Sequence, residues 1–345
     1  PKEVIFVRNL QEDLLRRDFT INAMAYNEKE GIVDIFGGMD DLRAGIIRCV
    51  GNAQARFSED ALRILRGIRF AAQLGFELED ETREGMRLLA PTLRKISAER
   101  IQVELVKTLT SSRPDLLREA WKLGITKEFL PEFDLAMETT QETVHHMYTV
   151  GEHILHTLLE VRPDRILRLT MLLHDIGKPY MKTMDADGVA HFKGHPEKSS
   201  ELANEILHRL KFDNDTIRKV TKLVRYHDHR MPVTPAHVRR AVHEIGEDLF
   251  LLYLEVRRAD VAAQSMYQHK EKVADIDGVE KLYHEIMERK ECVSLKMLAV
   301  TGKDLIAAGM KPGKEIGQML EHFLDLVLEH PELNQKEELL KRIEL

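Results

Sequence analysis

Hydrophobic and polar positions along this chain keep two different periods, and the change between them comes early. Residues 4–7 alternate with the period of a strand, and residues 31–36 and 46–50 read as a second and a third strand, with Gly37 and Gly38 turning the chain between them. Residues 11–26 read as helical, with Leu14, Leu15, Ile21, Met24 and Ala25 as the apolar positions. After residue 50 strand signals nearly vanish. Helical periodicity marks 81–90, 98–109, 115–122, 150–160, 166–173, 199–210, 215–225, 235–244, 248–263, 276–290, 302–308 and 315–329. A loop rich in Asp and Gly at 183–194 is the main irregular stretch, and neither a low-complexity tract nor a solenoid period is present. The expected fold is mainly α: a remnant of an α/β domain, then an all-helical body.

One stretch organises the rest. Residues 58–76 predict a single helix, with Ser58 as N-cap, Glu59 and Asp60 in the positively polarised first turn, and Gly75 as the stop. Ala61, Leu65, Ile68 and Ala72 fall on one stripe; Arg56, Glu59, Asp60, Arg63, Arg66 and Gly67 gather opposite, with Arg69 at the flank. A guanidinium is a planar fork of donors suited to phosphates and base edges, so Asp60 and Arg63 offer acceptors and donors side by side. The same face also reads as a surface ion-pair helix. Upstream, Asp18 and Asn22 sit one helical turn apart behind Arg16 and Arg17, two poor helix formers in an apolar segment.

Size and composition narrow the class. At 345 residues the chain exceeds one ordinary core, so two to three domains are expected. A hydrophobic share of 43% with 32% charged residues fits a globular protein, and no apolar run approaches the ~18 residues of a membrane span. Cys49 and Cys292, far apart, make neither a disulfide framework nor a zinc cluster, which fits a reducing cytoplasm. The net charge of −7 argues against broad nucleic-acid binding but leaves room for a local basic groove. The chain opens on Pro1 and runs straight into a strand pattern, which suggests a truncated protein.

Three motifs, RRDFTINAMA at 16–25, VDIFGGMDDL at 33–42 and EDALRILRGIRFAAQLGF at 59–76, resemble in order and spacing the class II tRNA nucleotidyltransferase family of bacterial CCA-adding enzymes and poly(A) polymerases. GKDLIAAGMKPGKEIGQML, at 302–320, is similar to that family's tail. The resemblance implies that Asp60 and Arg63 pair with the base of incoming CTP or ATP. It further implies that Arg17, Arg66 and Arg69 hold the nucleotide and its triphosphate, and that Asp18 and Asn22 organise the ribose side. The family's head also carries two carboxylates for Mg²⁺, which phosphoryl transfer needs. No such pair occurs in context within residues 1–50, where Asp40 and Asp41 are adjacent and follow the wrong element. These residues are therefore expected to be inactive in nucleotide addition.

Sixteen histidines crowd largely between residues 145 and 243. His153, His174 with Asp175, His195, His227 and Asp260 each lie beside an apolar helical run, a pattern suited to Fe, Mn, Zn, Co or Ni. The order H…HD…H…H…D resembles the HD phosphohydrolase superfamily. That implies a primary site of His153, His174, Asp175 and Asp260, a second metal position completed by His195 and His227, catalysis through Asp175, and Lys178 placed to hold a phosphate. His145, His146, His156, His191 and His229 read as structural or solvent-facing.

The expected order is a head remainder at 1–55, a nucleotide- and RNA-binding neck and body at 56–140, an HD domain at 141–270 and a helical tail at 271–345. The expected activity is addition of CMP and AMP to tRNA 3′ ends, with tRNA, CTP and ATP as partners, Mg²⁺ at the transferase site and a divalent transition metal at the HD site. The alternatives are a poly(A) polymerase using ATP alone, an HD phosphohydrolase acting on free nucleotides, and a non-catalytic RNA-binding fragment.

Overall fold

Asn9 starts the first helix, its side chain accepting from the Gln11 amide, and α1 runs Leu10–Leu15. The computed structural model describes residues 9–343 except His146, so the strand expected at 4–7 lies outside the described residues. The helix expected over 11–26 stops after one and a half turns. Asp18 turns its carboxylate onto the Phe19 amide, the kind of local bond by which Asp competes with a helix. A 3₁₀ turn, Thr20–Asn22, leads into β1 (Met24–Asn27), which pairs antiparallel with β2 (Gly31–Asp34). Their turn is built by Asn27, whose Oδ1 accepts from the Lys29 and Glu30 amides, and by Gly31 at φ 71°. After α2 (Gly38–Ala44), strand structure in the expected third strand is confined to β3 (Ile46–Ile47) and a bridge from Cys49 to Phe19.

The predicted helix at 58–76 is two helices. α3 (Ala53–Glu59) is capped by Asn52, while α4 (Leu62–Leu74) ends at Gly75 with φ 70°. Ser58 caps nothing; its hydroxyl donates to the Gln54 carbonyl one turn back. Asp60 has extended backbone between the helices and accepts from the Leu62 amide, serving the new helix start. Periodicity alone could not see this, because the apolar stripe continues on α4 in the same phase.

Downstream, β4 (Glu77–Leu78) runs parallel to β3, and α5 (Asp80–Leu89), α6 (Ala98–Leu109), α7 (Leu117–Lys122), α8 (Pro131–Glu138), α9 (Val150–Glu160) and α10 (Arg165–Leu173) follow. α11 (Lys178–Met181) precedes a hairpin of β5 (Thr183–Met184) and β6 (Ala190–His191), where only a loop is expected; then come α12 (His195–Arg209) and α13 (Asn214–Tyr226). α14 (Pro235–Ile245), α15 (Glu247–Ala262), α16 (His269–Glu288), α17 (Gly302–Ala307), α18 (Lys314–Glu329) and α19 (Lys336–Leu340) complete the chain.

The chain divides into two compact units: one of Pro1–Arg225 with Ala262–Tyr267, the other of Tyr226–Val261 with Gln268–Leu345. The borders expected at 55/56 and 140/141 fall inside the first unit, and residues 226–261 of the expected HD stretch fall in the second. In the first unit, Phe19, Phe57, Ile64, Met86 and Leu93 are fully buried. In the second, a cluster of Val300, Leu305, Phe323, Leu324, Val327 and Leu328 packs α17 on α18.

Close helix contact is set by glycine at one point that matters for the site. A Cβ on Gly151 of α9 would lie 2.6 Å from the backbone N and Cα of Met137 in α8, atoms that cannot swing aside. Gly151→Ala is therefore expected to cost about 1–3 kcal/mol by overpacking. A chemical-denaturation midpoint equal to wild type would refute this.

Candidate nucleotide cleft and metal centre

The break between α3 and α4 opens onto a cleft of ≈ 500 Å³ lined by Arg16, Arg17, Asp18, Asn22, Asp60, Leu62, Arg63, Arg66, Phe70 and Arg100. The acids in it are held by arginines. Arg66 donates to Asp18 Oδ2 at 2.6 Å, while Asp18 Oδ1 takes the Asn22 amide at 3.2 Å. Arg100, from α6, donates to Asp60 Oδ2 at 2.7 Å. Partial burial pushes the Asp60 carboxyl up, and the Arg100 and Leu62 donors outweigh it, so the group titrates below the ordinary carboxylate range. Arg63 bonds Glu59 at 2.8 Å, the Arg56 carbonyl at 3.0 Å and the Arg16 carbonyl at 2.7 Å, so it ties α3, α4 and the end of α1 together. Arg17 lines the rim, its guanidinium 3.5 Å from Asp13. Arg69 does not face the cleft: it is buried in an ion pair with Glu104 at 2.7 Å, its guanidinium 4.0 Å from the Phe70 ring. A flank position on a helical wheel cannot separate cleft from core.

The second constellation gathers around Asp175. In the first unit, His153, His174 and Asp175 offer ligand atoms within 4.8 Å of one another, as do Asp175 and His195, and all are buried. Each imidazole presents its Nδ1 to a main-chain carbonyl: His153 to Ala263 at 3.3 Å, His174 to Met171 at 2.7 Å and His195 to Phe192 at 2.9 Å. Each Nδ1 is thus directed at an acceptor, which turns Nε2 toward the centre as the ring atom that would ligate an ion. The Nε2 atoms of His153 and His174 lie 3.3 Å apart, and those of His174 and His195 are each 3.3 Å from an Asp175 oxygen, on Oδ2 and Oδ1 respectively. The first pair is spaced as two ligands sharing one ion with bonds of about 2.1 Å, so the donor set fits a divalent transition metal.

Lys178 is the cation already present, its Nζ 2.7 Å from Asp175 Oδ2 and 3.0 Å from Gln141 Oε1. Burial would raise the Asp175 carboxyl, but the Lys178 ammonium and the His174 ring hold it well below the usual carboxylate range. Gly177 makes the approach possible, since a Cβ there would stand 2.5 Å from the Ser199 amide nitrogen of α12. His227, just past α13, and Asp260, in α15, are both buried and belong to the second unit.

Comparison with known proteins gives the family. The chain is 34% identical over 329 residues to the A-adding tRNA nucleotidyltransferase of Deinococcus radiodurans, spanning 90% of this chain and 74% of that one. It is 33% identical over 347 residues to the CCA-adding enzyme of Streptococcus thermophilus, spanning 99% of this chain and 73% of that one. The chain belongs to the class II tRNA nucleotidyltransferase family. Within that family, the CCA-adding enzyme of Bacillus stearothermophilus, solved in complex with CTP, superposes with a TM-score of 0.68 at 25% identity, covering 98% of this chain and 75% of that one. Family models match as "Poly A polymerase head domain" over 1–48, "Probable RNA and SrmB- binding site of polymerase A" over 75–137 and "tRNA nucleotidyltransferase domain 2" over 194–343. No helix among the described residues is long and apolar enough to cross a membrane.

For this nucleotidyltransferase the sequence left Arg100, Phe70 and Gln141 unmarked. Arg100 lies 40 residues from its partner Asp60, and only the packing of α6 on α4 brings them together. Gln141 lies between helices, where periodicity carries no signal.

Proposed function

We propose that this chain acts in adding CMP and AMP to tRNA 3′ ends in the cytoplasm, with Asp60 and Arg63 reading the base of CTP or ATP and Arg17 and Arg66 meeting the triphosphate. The observation that carries this reading is the arginine-lined cleft at the α3–α4 break, in a chain whose relatives are named as A-adding and CCA-adding enzymes. Asp18 and Asn22, joined to each other and to Arg66, would orient the ribose side. The cleft's two carboxylates do not fit Mg²⁺, because Asp18 and Asp60 are each engaged by an arginine. The CCA-adding relatives, one of them solved with CTP, favour two substrates over a poly(A) polymerase's one. Calorimetric titration with the four nucleoside triphosphates tests this: CTP and ATP should bind at least tenfold more tightly than UTP and GTP. Equal affinity for all four would overturn the base-reading assignment.

A second activity is proposed on a separate observation, the three imidazoles whose Nδ1 atoms are fixed by carbonyls and whose Nε2 atoms converge on Asp175. His153, His174, Asp175 and His195 would hold a divalent transition metal. Bound there, such an ion supplies hydroxide near neutral pH by acidifying its water. The chain's own part is to orient the imidazoles, keep Asp175 ionised and present the Lys178 ammonium to a phosphate oxygen. The reaction class is hydrolysis of a phosphoester, such as a cyclic or terminal phosphate on a damaged RNA end.

A further inference from the structure

Behind α4 lies a second cavity, of ≈ 300 Å³, wholly within the first unit. Ile68 and Ala71 of α4, Leu78 of β4 and Leu116 of the turn before α7 give it apolar walls, and the first three are buried. At 100° per residue, Ile68 and Ala71 stand on the face of α4 turned away from Arg63 and Arg66, so one helix serves two cavities. The polar groups here are few. Arg83 enters from α5 and Glu119 from α7. Glu119 Oε1 lies 3.2 Å from Arg83 Nε, but out of line for a hydrogen bond, and Nε is closed off from solvent without an acceptor. No hydrogen bond joins the Glu119 carboxylate to any described residue. Arg113 adds no open donor fork, because both arms close on Asp115 at 2.9 Å.

An apolar cavity with a few convergent polar groups is the usual form of a small-molecule site, and a buried donor without an acceptor is costly until a ligand supplies one. The charges select the ligand. Arg83 and Glu119 cancel, and Glu77 makes the rim negative, so a phosphate is disfavoured and an uncharged molecule with donors and acceptors along one edge is favoured. A guanine carries that set: O6 and N7 accept from a guanidinium fork, and N1–H and the N2 amine donate to a carboxylate. We propose that this cavity binds a free guanine-type base or nucleoside, with Arg83 on O6 and Glu119 on the N1–H and N2 donors, and that its occupancy is felt in the nucleotide cleft through α4. The binding site stands apart from the nucleotide-addition reading, and only its coupling to the cleft rests on that reading.

The test is calorimetric titration of the whole chain with guanosine at saturating CTP, which keeps the cleft filled. Guanosine should bind at least tenfold more tightly than adenosine, cytidine or uridine, and inosine, which lacks the N2 amine, about tenfold more weakly than guanosine. Arg83→Ala and Glu119→Gln should each abolish the preference. Glu119→Gln keeps the side chain's shape, so it and the inosine comparison decide the matter even where Arg83→Ala unfolds the chain. In the reverse titration guanosine should change the CTP Kd at least threefold, and by linkage CTP should change the guanosine Kd by the same factor. Equal affinity for the four nucleosides overturns the site, as does a guanosine preference that survives Glu119→Gln. A GpGpG trinucleotide that binds more tightly than guanosine would assign the cavity to RNA and overturn the free-nucleoside assignment. An unchanged CTP Kd overturns the coupling. If CTP does not bind at all, the nucleotide-addition reading fails, and the nucleoside series still decides the site.

Discussion

Asp175→Ala should empty the metal centre, with metal per chain after reconstitution falling from stoichiometric to background and phosphoester hydrolysis lost with it. One carboxylate faces three imidazoles, with Oδ2 toward His153 and His174 and Oδ1 toward His195, so its loss removes the group common to all three. The same substitution leaves the buried Lys178 ammonium with Gln141 and the Phe192 face but without its counter-charge. Removing one partner of a buried ion pair costs about 3–5 kcal/mol, so the variant should also unfold at lower denaturant. The double variant Asp175→Ala with Lys178→Met separates the two effects. It should recover most of the stability and none of the metal, as read by elemental analysis beside a urea titration. Metal retained by the stable double variant would show that Asp175 is not a ligand.

Arg63→Ala should lower discrimination for CTP and ATP over UTP and GTP by about ten- to a hundredfold, the value of one base-edge pairing of ~1–3 kcal/mol. Arg63 is also a strut, through the Arg56 and Arg16 carbonyls, so affinity for every nucleotide should drop somewhat as well. Selectivity is therefore the informative quantity. Glu59→Ala removes a partner of Arg63 without removing the fork and should leave selectivity near wild type. Arg100→Ala should reproduce part of the Arg63 effect by releasing Asp60. An Arg63→Ala protein with wild-type selectivity would reduce the cleft to a surface ion-pair network.

The helical body was legible because burial there is one-sided: α6 and α9 begin and end where their apolar stripes do. What stayed hidden depends on backbone or on distance. The extended Asp60 between α3 and α4 is invisible to a wheel diagram, since α4 keeps the stripe's phase. The helix expected through residues 11–26 failed because Asp18 spends its side chain on the Phe19 amide, a choice that composition allows but does not announce. Arg69 shares its flank with cleft residues in sequence and is sent inward by Glu104, which only tertiary packing supplies. The histidine order did point to residues that the first unit brings together, because metal-directed residue types are few and their spacing is constrained by helices. Their carbonyl partners, Met171, Phe192 and Ala263, are main-chain atoms with no signature at all.

The return of Ala262–Tyr267 to the first unit has a consequence for synthesis. A ribosome delivers Arg225 well before Ala262, and at roughly 5–20 residues per second the interval is about 2–7 s. During that time His153 has no Ala263 carbonyl to orient its ring, and Ser265 has not yet joined the segment at Val144 and His145. The nucleotide cleft, whose lining is complete by Arg100, faces no such delay. Vectorial folding thus orders the two centres in time. A nascent chain released at residue 230 should bind CTP while its histidines stay unable to retain metal.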